Sequence, residues 1–247
     1  MSNSLERLQK VISQSGITSR RKAEQLIVDG KVKVNNRMVT ELGTKVSPKD
    51  KIEVNGIEIE KEQLKYFLLY KPRGIISSVK DDKNRKVVTD LLTDVQERIF
   101  PIGRLDYNTS GILLLTNDGE FANLLMHPRH EVEKVYLVRV NGVPTKKDLG
   151  KLLSGVKDKN DVLKAISYNI VSTDSKKKTM ELELTLSQGK NRHIRRMMEQ
   201  IGYPVTKLKR IKYGFLTLKN LKVGQYRALT AKEVKQMRSL ALKIVKD

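Results

Sequence analysis

Four consecutive apolar residues, Ile112-Leu113-Leu114-Leu115, follow directly on the string Gly103-Arg104-Leu105-Asp106-Tyr107-Asn108-Thr109-Ser110-Gly111. A short unbroken apolar run bounded by turn residues reads as a buried strand in the middle of a sheet. The chain therefore has to build a sheet around this strand. At its lip it carries one carboxylate, Asp106, and one guanidinium, Arg104. Two positions apart in an extended segment, the two side chains share a face. Taken alone, a surface ion pair on a solvated loop accounts for them better than a site does.

The rest of the chain narrows the choice. Its 247 residues are 38% apolar, enough for a real core in one large domain or a small and a medium one. There is no cysteine, which excludes disulfides, thiol catalysis and thiolate metal sites and suits a reducing cytosol. Of the three histidines, His127 and His130 are separated by Pro128, which argues against a helical ligand pair, and no metal site is expected. The start, MSNSLERLQK, lacks a signal-peptide core, and no run approaches a membrane span, so a cytoplasmic protein with no membrane partner is expected. Lys and Arg total 49 against 28 acids, a formal net charge of +21. Nucleic acid is the commonest partner for so basic a protein. The excess is uneven, with 13 basic and 3 acidic groups between residues 176 and 222 but 12 and 9 in residues 1–62. A local footprint fits this better than a uniformly solvated lysine surface.

Two domains are expected, 1–62 and 63–247, joined at the charged stretch Glu60–Gln63. In the first, LERLQKVISQSG predicts an amphipathic helix with Leu5, Leu8 and Ile12 inward and Gly16 as its stop. Ser19 caps a second helix, with Ala23, Leu26 and Ile27 inward and Gly30 at its end. Asn35-Asn36 and Asn55-Gly56 each read as the turn of a short hairpin. The second helix opens with Arg20, Arg21 and Lys22 against its own dipole, which points to a use outside the helix, such as phosphate contact.

Beyond residue 63 the pattern is strand-rich. KYFLLYK, GIISSV, KVYLVRVNG, TMELELTLSQG and FLTLKNL read as strands, and KVVTDLL as a short strand running into a helical turn. Helices are predicted from Gly119 to Pro128, over NRHIRRMMEQIG with Ile194, Met197, Met198 and Ile201 on one face, and after Thr230. At the last, Thr230 and Glu233 form a capping box and Leu229 and Val234 a staple. In GKNRHIRRMM, Arg192 stands three and four residues before Arg195 and Arg196, which predicts one basic face behind a Gly-Lys loop that includes Lys190. It suits phosphate binding, with one arginine held against a carboxylate; a solvated arginine face is the plainer alternative. Tyr136 sits among alternating apolar residues, where most tyrosines are simply core.

Taken together, GRLDYNTSGILLLTNDG, KVYLV and GKNRHIRRM…IGYPVTKLKRIKYG resemble the motifs of the pseudouridine synthases. KYFLLYKPRGIISSV is similar to the opening of the catalytic domain in the RsuA/RluB branch, and residues 5–36 are similar to the S4-like RNA-binding domain which that branch carries. The resemblance spans essentially the whole chain and is greatest to the RluB-type enzymes of large-subunit ribosomal RNA. It implies an α+β fold: a small S4-like α/β RNA-binding domain, then a catalytic domain with a mixed, mainly antiparallel sheet and flanking helices. It implies that Asp106 is the catalytic aspartate and Arg195 the basic residue paired with it. Tyr136 would stack on the target base and serve as a general base, Arg104 would hold the flipped nucleotide, and Leu208 would pack near the site. Gln188 and His193 depart from the family's loop pattern, where glutamate and Gln or Glu are common. The implied reaction isomerises a uridine of ribosomal RNA, most closely 23S, without cofactor, in a monomer acting on ribosomal RNA or a pre-ribosomal particle.

Three alternatives stand beside this reading. One is a non-catalytic RNA-binding or ribosome-associated protein on the same fold, which leaves Asp106, Tyr136 and Arg195 a coincidence. Another is a synthase acting on small-subunit RNA. The third is a hydrolase pairing Asp106 with Asp118 or Glu120, although Asp118-Gly119 reads better as the start of a helix.

Overall fold

A computed structural model describes residues 5–243. Two compact units emerge, one of residues up to Lys65 together with Val95–Ile99, the other of Tyr66–Asp94 and the residues from Phe100 onward.

The first unit contains β1 (Glu6–Arg7), α1 (Leu8–Gln14), α2 (Arg20–Val28), β2 (Val32–Val34), β3 (Arg37–Met38), β4 (Lys45–Val46), β5 (Ile52–Val54) and β6 (Ile57–Glu58). The two predicted hairpins form, and the sheet runs β3-β2-β5-β6. Their turns place Asn35 and Asn36 at φ 49° and 64°, and Asn55 and Gly56 at 53° and 80°. These are the left-handed angles a tight two-residue hairpin needs. Ser19 accepts from the backbone N–H of Lys22, as a cap should. Leu8, Ile12, Ala23, Ile27, Val32, Val46, Ile52 and Val54 form the core. The predicted first helix is corrected at its start. Glu6 and Arg7 pair with Val46 and Lys45 as a strand, so the helix begins only at Leu8 and Leu5 is left exposed.

The second unit follows with β7 (Tyr66–Lys71), β8 (Phe100–Ile102), β9 (Ser110–Thr116), α3 (Gly119–Met126), β10 (Lys134–Asn141), α4 (Lys146–Ser154), β11 (Val156–Asp158) and β12 (Asp161–Leu163). It continues with β13 (Ser167–Asp174), β14 (Thr179–Leu186), α5 (His193–Gln200), β15 (Val205–Tyr213), β16 (Leu216–Thr217), β17 (Tyr226–Ala228) and α6 (Ala231–Lys243). The main sheet runs β13-β14-β10-β15-β9-β7-β17, with β16 added to β15 and β8 to β9. Among the described strands of this sheet only β9 and β15 pair in parallel; the other pairings are antiparallel. The sheet is thus mixed and mainly antiparallel, as expected.

The apolar run lies in β9, between β7 and β15, and Ile112, Leu113, Leu114 and Leu115 are all fully buried. Ile112 and Leu114 pack with Phe121, Leu125, Met237 and Ala241 from α3 and α6. Leu113 and Leu115, on the opposite face by alternation, are covered as well. Each of these side chains contributes roughly 1.5–3 kcal/mol of burial, which fixes the strand that Asp106 precedes.

Three predicted strands are corrected. In GIISSV only Ile76 makes a lone bridge, to Val87, because Ser77 turns aside to bond the backbone of Leu105. FLTLKNL contributes only Leu216–Thr217, since a turn closes between Leu218 and Leu221 with Asn220 at φ 64°. The predicted short strand before Val88–Leu91 is likewise no more than that bridge at Val87, followed by a 3-10 turn.

Candidate active site

A cleft of about 690 Å³ opens in the second unit where the loop before β9, the start of β10, the loop before α5 and the middle of β15 converge. Asp106, Arg104, Tyr136, Lys190, Arg192 and Leu208 all line it. Residues far apart in sequence are therefore brought to one place, as the resemblance implies. Asp106 is the only carboxylate among the described residues of the lining.

The loop bearing Asp106 is held from below. Lys71, at the end of β7, is fully buried and donates to the carbonyls of Pro72 at 3.0 Å, Asp106 at 3.3 Å and Thr109 at 3.0 Å. Burial pushes its ammonium down to about 8, partly opposed by the charge of Asp106. The buried Ser77 hydroxyl donates to the Leu105 carbonyl at 2.8 Å and accepts from the Leu105 N–H at 3.1 Å. Leu105 thus lies clamped and buried, while Arg104 is exposed on one side of it and Asp106 half-buried on the other. Thr109 closes the turn with its N–H on the Asp106 carbonyl at 2.9 Å.

Arg195, from α5, approaches the carboxylate with Nε 3.9 Å from Asp106 Oδ2. Its Nη1 and Nη2 donate to the carbonyls of Val205 and Asn108 at 3.3 and 3.1 Å, so the guanidinium is fixed. Its Nε is buried and makes no hydrogen bond, with Asp106 as its nearest acid. Burial lowers the guanidinium below its ordinary value, and the nearby Asp106 charge works against that shift.

Arg196 corrects the expectation of one basic face. It turns away from Asp106 to the hairpin of β11 and β12, where it pairs with Asp158 and, at 3.0 Å, with Asp161. Lys190 reaches the same Asp161 at 2.7 Å, and these two cations hold that carboxyl below its ordinary value, Lys190 foremost. Arg192, at φ 49°, is the left-handed residue that starts α5. Arg20, Arg21 and Lys22 belong to the other unit and are exposed at the start of α2.

Three further residues of the cleft region escaped the sequence reading: Lys71, Lys134 and Arg210. Tyr136 is 9% exposed and stands directly across the strands from Arg210, which in turn registers with Gly111 on β9. A Cβ at Gly111 would lie 2.2 Å from the Arg210 carbonyl oxygen, so only glycine admits the parallel pairing there. The hydrolase alternative loses its second acid. Asp118 is buried and caps α3 through the N–H groups of Glu120 and Phe121, both at 3.0 Å. It also accepts from Tyr66 at 2.7 Å and Arg238 at 2.5 Å, outside the cleft.

Known proteins agree with this architecture. The family model for RNA pseudouridylate synthase matches residues 65–200, and that for the S4 domain matches residues 6–52. The chain is 55% identical to the ribosomal large subunit pseudouridine synthase B of Bacillus subtilis, covering 96% of this chain and 97% of that protein. It is 39% identical to an RNA pseudouridine synthase of Aquifex aeolicus, covering 97% and 96%. A crystal structure of a pseudouridylate synthase superimposes with a TM-score of 0.65 at 27% identity, over 94% of this chain and 99% of that one. The chain belongs to the RNA pseudouridylate synthase family, isomerases of RNA uridine, and carries an S4 domain ahead of its catalytic fold.

Proposed function

We propose that this synthase isomerises a specific uridine of ribosomal RNA, that of the large subunit, with Asp106 as its catalytic carboxylate. The observation that carries the assignment is a lone carboxylate on the cleft, mounted on a clamped loop, in an ion pair at 3.9 Å with the Nε of Arg195, which makes no hydrogen bond. The Bacillus subtilis relative and the S4 domain support this substrate class.

The reaction breaks N1–C1′, turns the base and joins C5 to C1′. Nothing is oxidised and no group leaves the RNA, so the chemistry asks for no cofactor or metal. It does need one ionised carboxylate, either to attack C1′ or to take a proton from C2′ in a glycal route. A fixed guanidinium keeps such a group charged and aimed as RNA closes over it. Tyr136 offers a stacking face and a phenol for the C5 proton, and the buried Leu208 supplies apolar wall. Lifting the base from its stack costs a few kcal/mol, and Arg104 and the Tyr136 face offset this. Lys190 and Arg192 would meet phosphates on the catalytic side, and Arg20, Arg21 and Lys22 on the S4 side. The boundary at 62/63, a monomeric state and a cytoplasmic location belong to the same proposal; no helix among the described residues is long and apolar enough to cross a membrane.

The test is incubation of wild type and Asp106→Asn with unmodified large-subunit ribosomal RNA, then carbodiimide mapping by primer extension. A stop that appears with wild type and not with the variant is expected. A stop made by Asp106→Asn at the wild-type rate would remove Asp106 from the mechanism, and stops on small-subunit RNA alone would reassign the substrate.

A further inference from the structure

The floor of the cleft holds a buried cation that no acid neutralises. Arg210 is 4% exposed and appears in none of the ion pairs among the described residues. Its Nε donates to the Ile112 carbonyl at 2.7 Å and its Nη1 to the Tyr136 hydroxyl at 3.5 Å. Its Nη2 is buried and has no partner. The guanidinium lies 6.0 Å from the Tyr136 ring centre and 5.0 Å from that of Tyr213. Behind Tyr213 stands a second cation, Lys134, 5.2 Å from the same ring and tied to the carbonyls of Val132 and Ser187. Burying positive charge without a carboxylate is costly, and such charge persists where a ligand's negative charge completes it.

The isomerisation generates such a charge. When N1–C1′ breaks, its electron pair stays with the base, which becomes a uracil anion delocalised over N1, O2 and O4. Asp106 meanwhile bonds to C1′ or takes the C2′ proton; the base then turns, C5 bonds to C1′ as the carboxylate leaves or returns that proton, the C5 proton leaves and N1 takes up a proton. Charge and atoms balance with no other reactant. We propose that Arg210 is a catalytic group for this step, its guanidinium donating to O4 of the target uracil and holding the negative charge of the detached base. The role rests on the synthase reading of the cleft above. The geometry fits it: Arg210 is the rung between Tyr136 on β10 and Gly111 on β9, so the cation is locked by backbone register beside both the stacking ring and the strand that Asp106 precedes. The same contact favours uracil over cytosine, because a guanidinium finds an accepting O4 in one and a donating amine in the other.

The test measures single-turnover release of tritium from large-subunit ribosomal RNA carrying C5-tritiated uridine, alongside the Kd for that RNA. Arg210→Ala is expected to slow release by about 100-fold or more. Its Kd should stay within about threefold, since the lost contact strengthens only as the bond breaks. Millimolar guanidinium should restore at least about tenfold of that rate and the neutral isostere urea should not. Equal rescue by urea, or a rate loss fully matched by lost binding, would reduce Arg210 to a packing residue. If Arg210→Ala melts early, Arg210→Lys and Arg210→Gln replace it: the charged variant must outpace the neutral one, and equal rates overturn the role. Asp106→Asn separates the two levels of the reading. An inert Asp106→Asn with unimpaired Arg210→Ala removes only this inference, whereas an active Asp106→Asn, or no release by wild type, removes the site itself.

Discussion

Gly111 has room for nothing larger. Its φ of +116° lies outside the comfortable range of an L side chain, and an added methyl would meet three backbone atoms of Arg210 within 2.8 Å. Gly111→Ala is expected to destabilise the fold by roughly 2–4 kcal/mol, because strand backbone cannot step aside as a flexible side chain can. Urea unfolding reads this as a lower midpoint, and an unchanged midpoint would mean that β15 slides easily along β9. On the lining of the cleft, His193 couples stability to acid. Its ring is 8% exposed and pushed down to about 4, first by burial and then by Lys190 and Arg196, against the opposing charge of Asp161. Its ordinary value is 6.5, so between these limits the unfolded chain binds a proton that the folded chain refuses. The associated stability is complete above pH 6.5 and is lost as pH falls toward about 4, by at most about 3–4 kcal/mol. Comparing urea midpoints of wild type and His193→Gln across that window checks the sign. The variant should fall less steeply with acid, and parallel curves would show that His193 titrates normally.

Single residues also set the ends of whole elements. Asp118 caps α3 with one carboxylate oxygen and ties it to Tyr66 on β7 and Arg238 on α6 with the other. Asp118→Asn keeps an N-cap acceptor but loses the charge, and Asp118→Ala loses both. The alanine is expected to cost about 1–3 kcal/mol and the asparagine less, an ordering that thermal unfolding would read directly. Elements with such local punctuation were legible beforehand. The Ser19 cap, the Asn-Asn and Asn-Gly hairpins and the Thr230–Glu233 box are written within a few residues each, and Thr230 and Glu233 do exchange bonds at 2.9 and 3.2 Å. Elements whose pattern depends on distant partners were not. The longest strand, β15, reads VTKLKRIKY, and its cations hide the alternation because Arg210 points inward to Tyr136 and Tyr213. α4 and the edge strand β13 were missed too; β13 is exposed along most of its length and has no apolar stripe to reveal it. For the site, Asp106, Tyr136 and Arg195 were reachable through their motifs. Lys71 and Arg210 were not, since a lysine or arginine in a string gives no sign of which backbone carbonyls will close over it. Arg196 was misassigned for the same reason: helical spacing put it beside Arg195, and only the acidic hairpin of β11 and β12 shows where it turns.

At the scale of the molecule, a net charge of +21 has to be expressed as salt-sensitive RNA binding. Each phosphate neutralised releases counterions, and the logarithm of the binding constant falls against that of salt by about 0.7 per contact on single strands and about 0.9 on duplex. Arg20, Arg21 and Lys22 are exposed together at the start of α2, where nothing in their own helix rewards positive charge. Replacing all three with glutamine is expected to lower that slope by about 2–3, if each meets one phosphate, and to weaken binding alike for target and non-target RNA. Thermal unfolding should hardly move, because none of the three supports the core. Arg192→Gln, on the cleft, provides the contrast. It removes a single cation, so the slope should change by no more than about 1, while the rate at the target uridine falls because the lost contact orients the nucleotide being turned. Filter binding across a salt series, paired with tritium release at saturating protein, separates the two outcomes. A triple variant that keeps its slope would show that α2 faces solvent in the complex. A triple variant that binds normally in low salt yet loses rate at saturation would instead place the S4 domain in the orientation of the substrate as well as in its capture.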